Sequence, residues 1–230
     1  MIKFSWQQIP SPIVTELMVN IPNFHGVIID TEHSCWNPES IFSSIQIAKL
    51  SLKVCFVRIA TLDKILIKNC LDSGADGLIL ANTESEDHAY EFKDLCLYPP
   101  AGKRGLGLQR ENLWGNKQLI SNDRDPILIA QIESKESIDN IRKITSANMN
   151  YYLIGPYDLS LSLDCPGDFE SDVFKEYIKR FYDAIPPQVR AIHLPSKVEQ
   201  QIEKYKQWGL IAVGMDTTML MEKYQEFSNA

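Results

Sequence analysis

Gly26-Val27-Ile28-Ile29-Asp30-Thr31-Glu32-His33 is the stretch on which the reading of this chain turns. Val27, Ile28 and Ile29 form a β-branched apolar run without alternation, the pattern of a strand covered on both faces in a parallel α/β sheet. The run then breaks into Asp30, Glu32 and His33. Two carboxylates and an imidazole within four residues make a poor core, and ligands of α/β sheets and barrels gather at the carboxyl ends of strands. The competing reading is that Asp30 and Glu32 cap the next helix and His33 lies on the surface.

Outward from this stretch the same unit repeats. Strands are expected at Ile2–Gln7, Val27–Asp30, Val54–Val57, Leu78–Leu80, Ile127–Ala130, Tyr151–Ile154, Val189–His193 and Leu210–Val213. Helices are expected from Ser11-Pro12, Asn37-Pro38, Asp63 to Asp72, Glu84 to Leu97, Ser134 to Thr145, Ser171 to Ile185, Ser196 to Trp208 and Thr217 to Phe227. Ser11 and Asn37, each before a proline, are N-cap signals. Eight strands in strict alternation with eight main helices predict a single-domain (β/α)₈ TIM barrel over residues 1–230. An open doubly wound sheet competes, but the first βα turn carries no Gly-x-Gly-x-x-Gly. One connection, Tyr98 through Gly115, is long for a compact domain, and such loops are usually functional or lie at subunit contacts.

Composition narrows the function classes. The 230 residues are 44% hydrophobic and 23% charged, with a formal net charge of −7. That sign argues against a nucleic-acid binder, which needs a basic face, but not against a small anionic substrate. Cys35, Cys55, Cys70, Cys96 and Cys165 are scattered and form no Cys-x-x-Cys, so neither a disulfide framework nor a thiolate zinc site fits, and a cytoplasmic location is expected. No signal peptide opens the sequence and no apolar run approaches the roughly 20 residues that span a bilayer.

The strand ends carry a ring of polar residues: Asp30, Glu32 and His33 after the second, Arg58 after the third, Asn82 after the fourth, Gln131 and Glu133 after the fifth, Asp158 after the sixth, His193 after the seventh and Asp216 after the eighth. In a barrel these converge on one mouth. Glu133 and Asp158 come from adjacent strands, and a divalent cation would relieve their repulsion; all-oxygen ligation favours Mg²⁺ or Mn²⁺. The bland alternative makes both of them helix caps. Arg58 ends an apolar strand and suits a carboxylate substrate, or else an internal salt bridge to Asp30 or Asp72. His33 is a candidate general base that Asp72 could orient. His193 reads as structural or pocket-lining, and Trp6 as a cover of the mouth or a filler of the barrel top. Gly155-Pro156 forms a rigid corner that would fix Asp158.

Asp30-Thr31-Glu32-His33, Gln131-Ile132-Glu133, Ile154-Gly155-Pro156-Tyr157-Asp158-Leu159-Ser160 and Val213-Gly214-Met215-Asp216-Thr217, with Tyr98-Pro99-Pro100-Ala101-Gly102-Lys103-Arg104-Gly105 before strand five, resemble the signatures of the HpcH/HpaI aldolase family. The resemblance implies a class II, metal-dependent pyruvate aldolase acting on 2-keto-3-deoxy sugar acids or 4-hydroxy-2-oxo acids. It implies Glu133 and Asp158 as metal ligands with Gln131 beside them, Mg²⁺ or Mn²⁺ first and Co²⁺ or Ni²⁺ next. Arg58 would bind the keto oxygen of pyruvate, and His33 would be the acid/base, paired with Asp72. Asp30, Gln131, Gly155 and Pro156 join Arg58 as the expected substrate-binding set. A homo-oligomer, hexamer or trimer, is implied, with the last helix, residues 217–227, exchanged between subunits. The sequence departs from the family pattern at Ala81-Asn82-Thr83 and at Leu97, which bears on aldehyde specificity and subunit contacts. The alternatives are a decarboxylase or CoA-thioester lyase of the same superfamily, and a barrel that binds an oxo acid without turnover.

Overall fold

The computed structural model describes residues 2–116, 125–196 and 198–228. Eight parallel strands close in chain order into a barrel: β1 (Ile2–Gln7), β2 (Gly26–Asp30), β3 (Val54–Ile59), β4 (Gly77–Leu80), β5 (Ile127–Ile132), β6 (Tyr151–Ile154), β7 (Arg190–Leu194) and β8 (Leu210–Val213), with β8 pairing back onto β1. The expected (β/α)₈ fold is the observed one.

The absence of alternation in the strands has a simple cause, because both faces are covered. One set of side chains, including Val27, Ile29, Cys55, Val57, Leu78 and Leu80, packs outward under the helices. The other set, including Phe4, Ile28, Phe56, Ile79, Ile129, Leu153 and Ala191, fills the barrel interior. Side chains on a strand repeat with period two. One step of two beyond the interior layer therefore leads from Phe4 to Trp6, from Ile28 to Asp30, from Phe56 to Arg58, from Ile129 to Gln131 and from Ala191 to His193. Register supports the layer: Asp30 pairs with Arg58 across β2 and β3. The mouth thus has a polar floor laid directly on an apolar plug.

The helices are α1 (Pro12–Val19), α2 (Pro38–Leu50), α3 (Lys64–Asp72), α4 (Glu86–Cys96), α5 (Lys135–Asp139), α6 (Ile141–Ser146), α7 (Pro156–Ser162), α8 (Asp172–Ala184), α9 (Val198–Gln201) and α10 (Asp216–Ser228). Asn37 caps α2 through Ser40 N, and Asp63 caps α3 through Ile65 N and Leu66 N. Ser11 stands at the cap position of α1, but its hydroxyl makes no cap bond.

Two expected helices differ. The span 134–145 is broken at Asn140, whose side chain donates to Glu84 O at 2.9 Å and ties the break to the β4–α4 loop. The helix expected over 196–208 is the single turn α9 followed by a 3₁₀ turn at Ile202–Tyr205, with Lys197 outside the described residues. The tighter turn brings Tyr205 edge-on to the buried Trp208, with ring centroids 4.9 Å apart.

The barrel seam is locked at the mouth. Asp216 at the head of α10 accepts from Gln8 N and Ile9 N at 2.9 Å each, and from Thr217 N. Gly214, just before it, has φ +68°, and a Cβ there would meet the sulfur of Met219 at 2.6 Å. No described helix is long and apolar enough to cross a membrane.

Candidate active site

A cavity of about 220 Å³ opens at the carboxyl ends of the strands, walled by Trp6, Gln8, His33, Arg58, Gln131, Gly155, Pro156, Tyr157, Asp158, His193, Pro195 and Met215, among others. Residues expected from six different strand ends meet there.

Its cationic centre is Arg58. Arg58 is 6% exposed and Asp30 is fully buried. Arg58 Nε donates to Asp30 Oδ1 at 2.9 Å and Nη2 to Oδ2 at 2.6 Å, a bidentate fork. Nη1 lies 2.7 Å from Glu32 Oε2, an ion pair without hydrogen-bond alignment. The indole of Trp6 underlies the guanidinium at 4.8 Å and donates to Asp30 Oδ2 at 3.2 Å, as does Gln8 Nε2. Burial opposes ionisation of Asp30, but the Arg58 bonds and charge, with Trp6 and Gln8, outweigh it and hold the carboxyl below its usual range. Asp30 Oδ1 also accepts from Glu32 N at 3.1 Å and His33 N at 3.4 Å. Asp30 therefore shapes the β2 loop and fixes Arg58, while Glu32 flanks the guanidinium. The internal salt bridge weighed for Arg58 is made, with Asp30, and Arg58 still faces the cavity.

The carboxylates on the other side are not helix caps. Ser134, not Glu133, caps α5. Glu133 Oε1 accepts from Asn82 N at 2.8 Å, and Oε2 accepts from Gln131 Nε2. Asn82, at φ +43°, contributes its backbone and not its side chain. Burial pushes the Glu133 carboxyl up to about 7, with the charges of Glu32 and Asp158 adding to the shift and the Asn82 and Gln131 bonds opposing it. Gly155 is required beside it: a Cβ there would stand 2.7 Å from both Cβ and Oε2 of Glu133. Asp158 lies in the first turn of α7, opened by Pro156, and its carboxylate accepts no hydrogen bond among the described residues.

A divalent cation fits this donor set. Glu133 is raised by burial first and by the Glu32 and Asp158 charges after it, all of which a cation would offset, and the buried Gln131 Oε1 has no hydrogen-bond partner among the described residues. All donors are hard oxygens. The described residues form no group of three or more His, Cys, Asp or Glu arranged for a metal, so a cation held by Glu133 and Asp158 would need solvent or substrate oxygens to complete its shell.

His33 is the exposed member, its side chain 61% accessible, with Nε2 3.8 Å from Glu32 Oε2. The expected pairing of His33 with Asp72 is not made within this chain. Asp72, at the end of α3, accepts from Arg104 Nη2 at 2.8 Å. Arg104 is buried against Tyr98 and also bonds Glu111 at 2.6 Å. A buried guanidinium needs carboxylates, and the long loop delivers it to Asp72.

His193 stacks flat on Trp6, with centroids 4.2 Å apart and planes 10° from parallel, and its Nε2 is 3.1 Å from Gly214 O. Enclosure pushes the imidazole down to about 4, with the Arg58 charge adding to it. Gln8 was not singled out from the sequence, although the period of two that places Trp6 inward also reaches Gln8.

The HpcH/HpaI aldolase/citrate lyase family model matches residues 15–222. The 5-keto-4-deoxy-D-glucarate aldolase of Citrobacter koseri is 24% identical over 98% of this chain and 90% of that protein. Solved structures give the same fold: an HpcH/HpaI aldolase/citrate lyase family protein from Burkholderia cenocepacia superposes with a TM-score of 0.89 at 21% identity, covering 99% of this chain and 93% of that one. An HpcH/HpaI aldolase from Desulfitobacterium hafniense gives 0.88 at 20%, covering 99% and 91%. With the match to the family model spanning the mouth residues from β2 to β8, the chain belongs to the HpcH/HpaI aldolase/citrate lyase family.

Proposed function

We propose that this protein is a class II aldolase that cleaves, or forms, a 4-hydroxy-2-oxo acid or 2-keto-3-deoxy sugar acid, giving pyruvate and an aldehyde. The observation that carries the reading is one cavity with Arg58 clamped on one side and the uncapped Asp158, with Gln131, on the other. Family membership and the curated 5-keto-4-deoxy-D-glucarate aldolases support it.

The residue roles follow from the chemistry. Glu133 and Asp158 would hold the divalent cation, Mg²⁺ or Mn²⁺ by donor type, and it would supply a Lewis acid for the carboxylate and keto oxygens of the oxo acid. Arg58, already oriented by Asp30 and Glu32, turns its remaining N–H groups to the keto oxygen. His33 takes the 4-hydroxyl proton, directly or through water, as general base. The C4–O bond becomes the aldehyde carbonyl, the C3–C4 bond breaks, and its electron pair ends as charge on the C2 oxygen, which Arg58 stabilises. A proton delivered to C3 completes pyruvate. Gly155 and Pro156 keep that wall close and rigid. Asp72 takes no part in this scheme.

A homo-oligomer and a cytoplasmic location belong to the same reading. Met219, Leu220, Met221, Tyr224 and Phe227 of α10 are all exposed, an apolar face that a second copy would cover, and all five cysteines are free. Light scattering on the purified chain tests the oligomer.

The activity test is release of pyruvate from short 4-hydroxy-2-oxo acids, coupled to lactate dehydrogenase, with and without EDTA. Release that EDTA abolishes and Mn²⁺ or Mg²⁺ restores is expected. Release unaffected by EDTA overturns the metal assignment, and no release from any such acid overturns the reaction.

A further inference from the structure

Resting on the aldolase reading, we propose that His193 is a specificity-determining residue that selects aldehydes carrying a hydroxyl group next to the carbonyl carbon. The inference starts from the mouth layer. Among the inward-facing residues one step above the apolar plug, Asp30 is spent on Arg58, while Arg58 and Gln131, the latter tied to Glu133, are assigned to the oxo-acid side. His193 lies on the opposite arc, facing the cavity beside Trp6, Pro195 and Met215.

Its orientation is fixed twice. The ring lies flat on the buried indole of Trp6, and Nε2 sits 3.1 Å from the carbonyl oxygen of Gly214. A carbonyl only accepts, so Nε2 carries the hydrogen and donates it. In the neutral ring Nδ1 is then a lone-pair acceptor. Enclosure and the nearby Arg58 charge disfavour the imidazolium, which keeps that lone pair available. No described donor reaches Nδ1.

The surroundings decide what can use it. Trp6, Pro195 and Met215 give an apolar, tight wall in which a bare alkyl chain would leave the acceptor without a partner, whereas a hydroxyl would satisfy it. A site built to hydrogen-bond a substrate hydroxyl rejects the analogue that lacks it, because the protein group is left unpaired. The proposed bond-breaking step uses His33 and Arg58 and not His193, which would sort aldehydes without carrying the chemistry.

The test uses the metal-loaded full-length protein, pyruvate, and two aldehydes of nearly equal size, glycolaldehyde and propanal, compared in wild type, His193→Phe and His193→Leu. Phenylalanine keeps a ring to stack on Trp6 without the acceptor, and leucine removes both. In the wild type kcat/KM should favour glycolaldehyde. In both variants that preference should fall about tenfold to a hundredfold, the range one lost hydrogen bond supports, with propanal retained. A glycolaldehyde-to-propanal ratio unchanged in the variants overturns the assignment while leaving the aldolase reading intact. If no carbon–carbon bond forms with either aldehyde in the wild type, the aldolase reading falls and this inference with it. Should one variant fail to fold, the other still reads the ratio.

Discussion

Asp30→Asn is the sharpest test of how the mouth is built. The substitution keeps the volume and one acceptor but removes the charge, and it turns an NH₂ toward the donors that now converge on the carboxylate. Those donors are two nitrogens of Arg58, the indole of Trp6, the amide of Gln8 and the backbone of Glu32 and His33. Removing one partner of a buried ion pair costs about 3–5 kcal/mol because the other charge is stranded. Arg58 retains Glu32 at 2.7 Å, which places the expected loss at the lower end, about 3 kcal/mol. With a urea m-value of about 3 kcal/mol/M the unfolding midpoint should drop by about 1 M. Far-ultraviolet circular dichroism at a single protein concentration reads it, since any oligomer makes the midpoint concentration-dependent. The pH dependence gives a second handle. Asp30 has a folded pKa below its unfolded one, so its contribution is complete above the ordinary carboxylate range and is lost as pH falls through the depressed value. The gap between wild type and variant should therefore narrow in acid. A midpoint shift below about 0.2 M at neutral pH would refute the idea that this pair organises the mouth.

Arg58→Ala should abolish aldol cleavage while calorimetric Mn²⁺ binding survives; loss of both would undo the separation of roles. Gly155→Ala should lower stability by about 1–3 kcal/mol and weaken Mn²⁺ binding, because the added carbon would stand 2.7 Å from the Glu133 carboxylate; unchanged thermal unfolding and titration would contradict the close approach. His193 has a folded pKa of about 4 against an ordinary 6.5, so the unfolded chain binds its proton first on acidification. Its contribution is full above pH 6.5 and is lost on the order of 3 kcal/mol toward pH 4, and a His193→Phe variant should lack that part of the acid slope in urea titrations.

Much of the mouth could be read from the chain because strand side chains alternate strictly. Once Val27–Ile29 is a covered strand, Asp30 must follow Ile28 inward, and the same step delivers Arg58 after Phe56 and His193 after Ala191. What escaped the reading was set by groups far apart in sequence. Asp72 looked free to orient His33, but Arg104, 32 residues onward, claims it. Asn82 looked like a side chain at a strand end, yet its left-handed backbone turns its N–H to Glu133. The break at Asn140 depends on the carbonyl of Glu84, which no helical periodicity records. Gln8 was hidden by lying just beyond its strand, although it reaches Asp30.

The seam between β1 and β8 sets an order of events. Residues 2–5 pair with 210–213, and Gln8 and Ile9 bond to Asp216. During synthesis the first strand therefore waits for the roughly 200 residues up to β8, a loop whose closure entropy must be met before any seam contact forms. Until then β1 has an unpaired edge, and Trp6 lacks the imidazole it later stacks on. A nascent chain halted before β8 would show an open, adhesive strand to its neighbours and to chaperones. Arg58 and Asp30, by contrast, pair across β2 and β3 and can meet early. The mouth would thus be assembled in two stages, with the charged half first and the aromatic half only after β7 and β8 have been made.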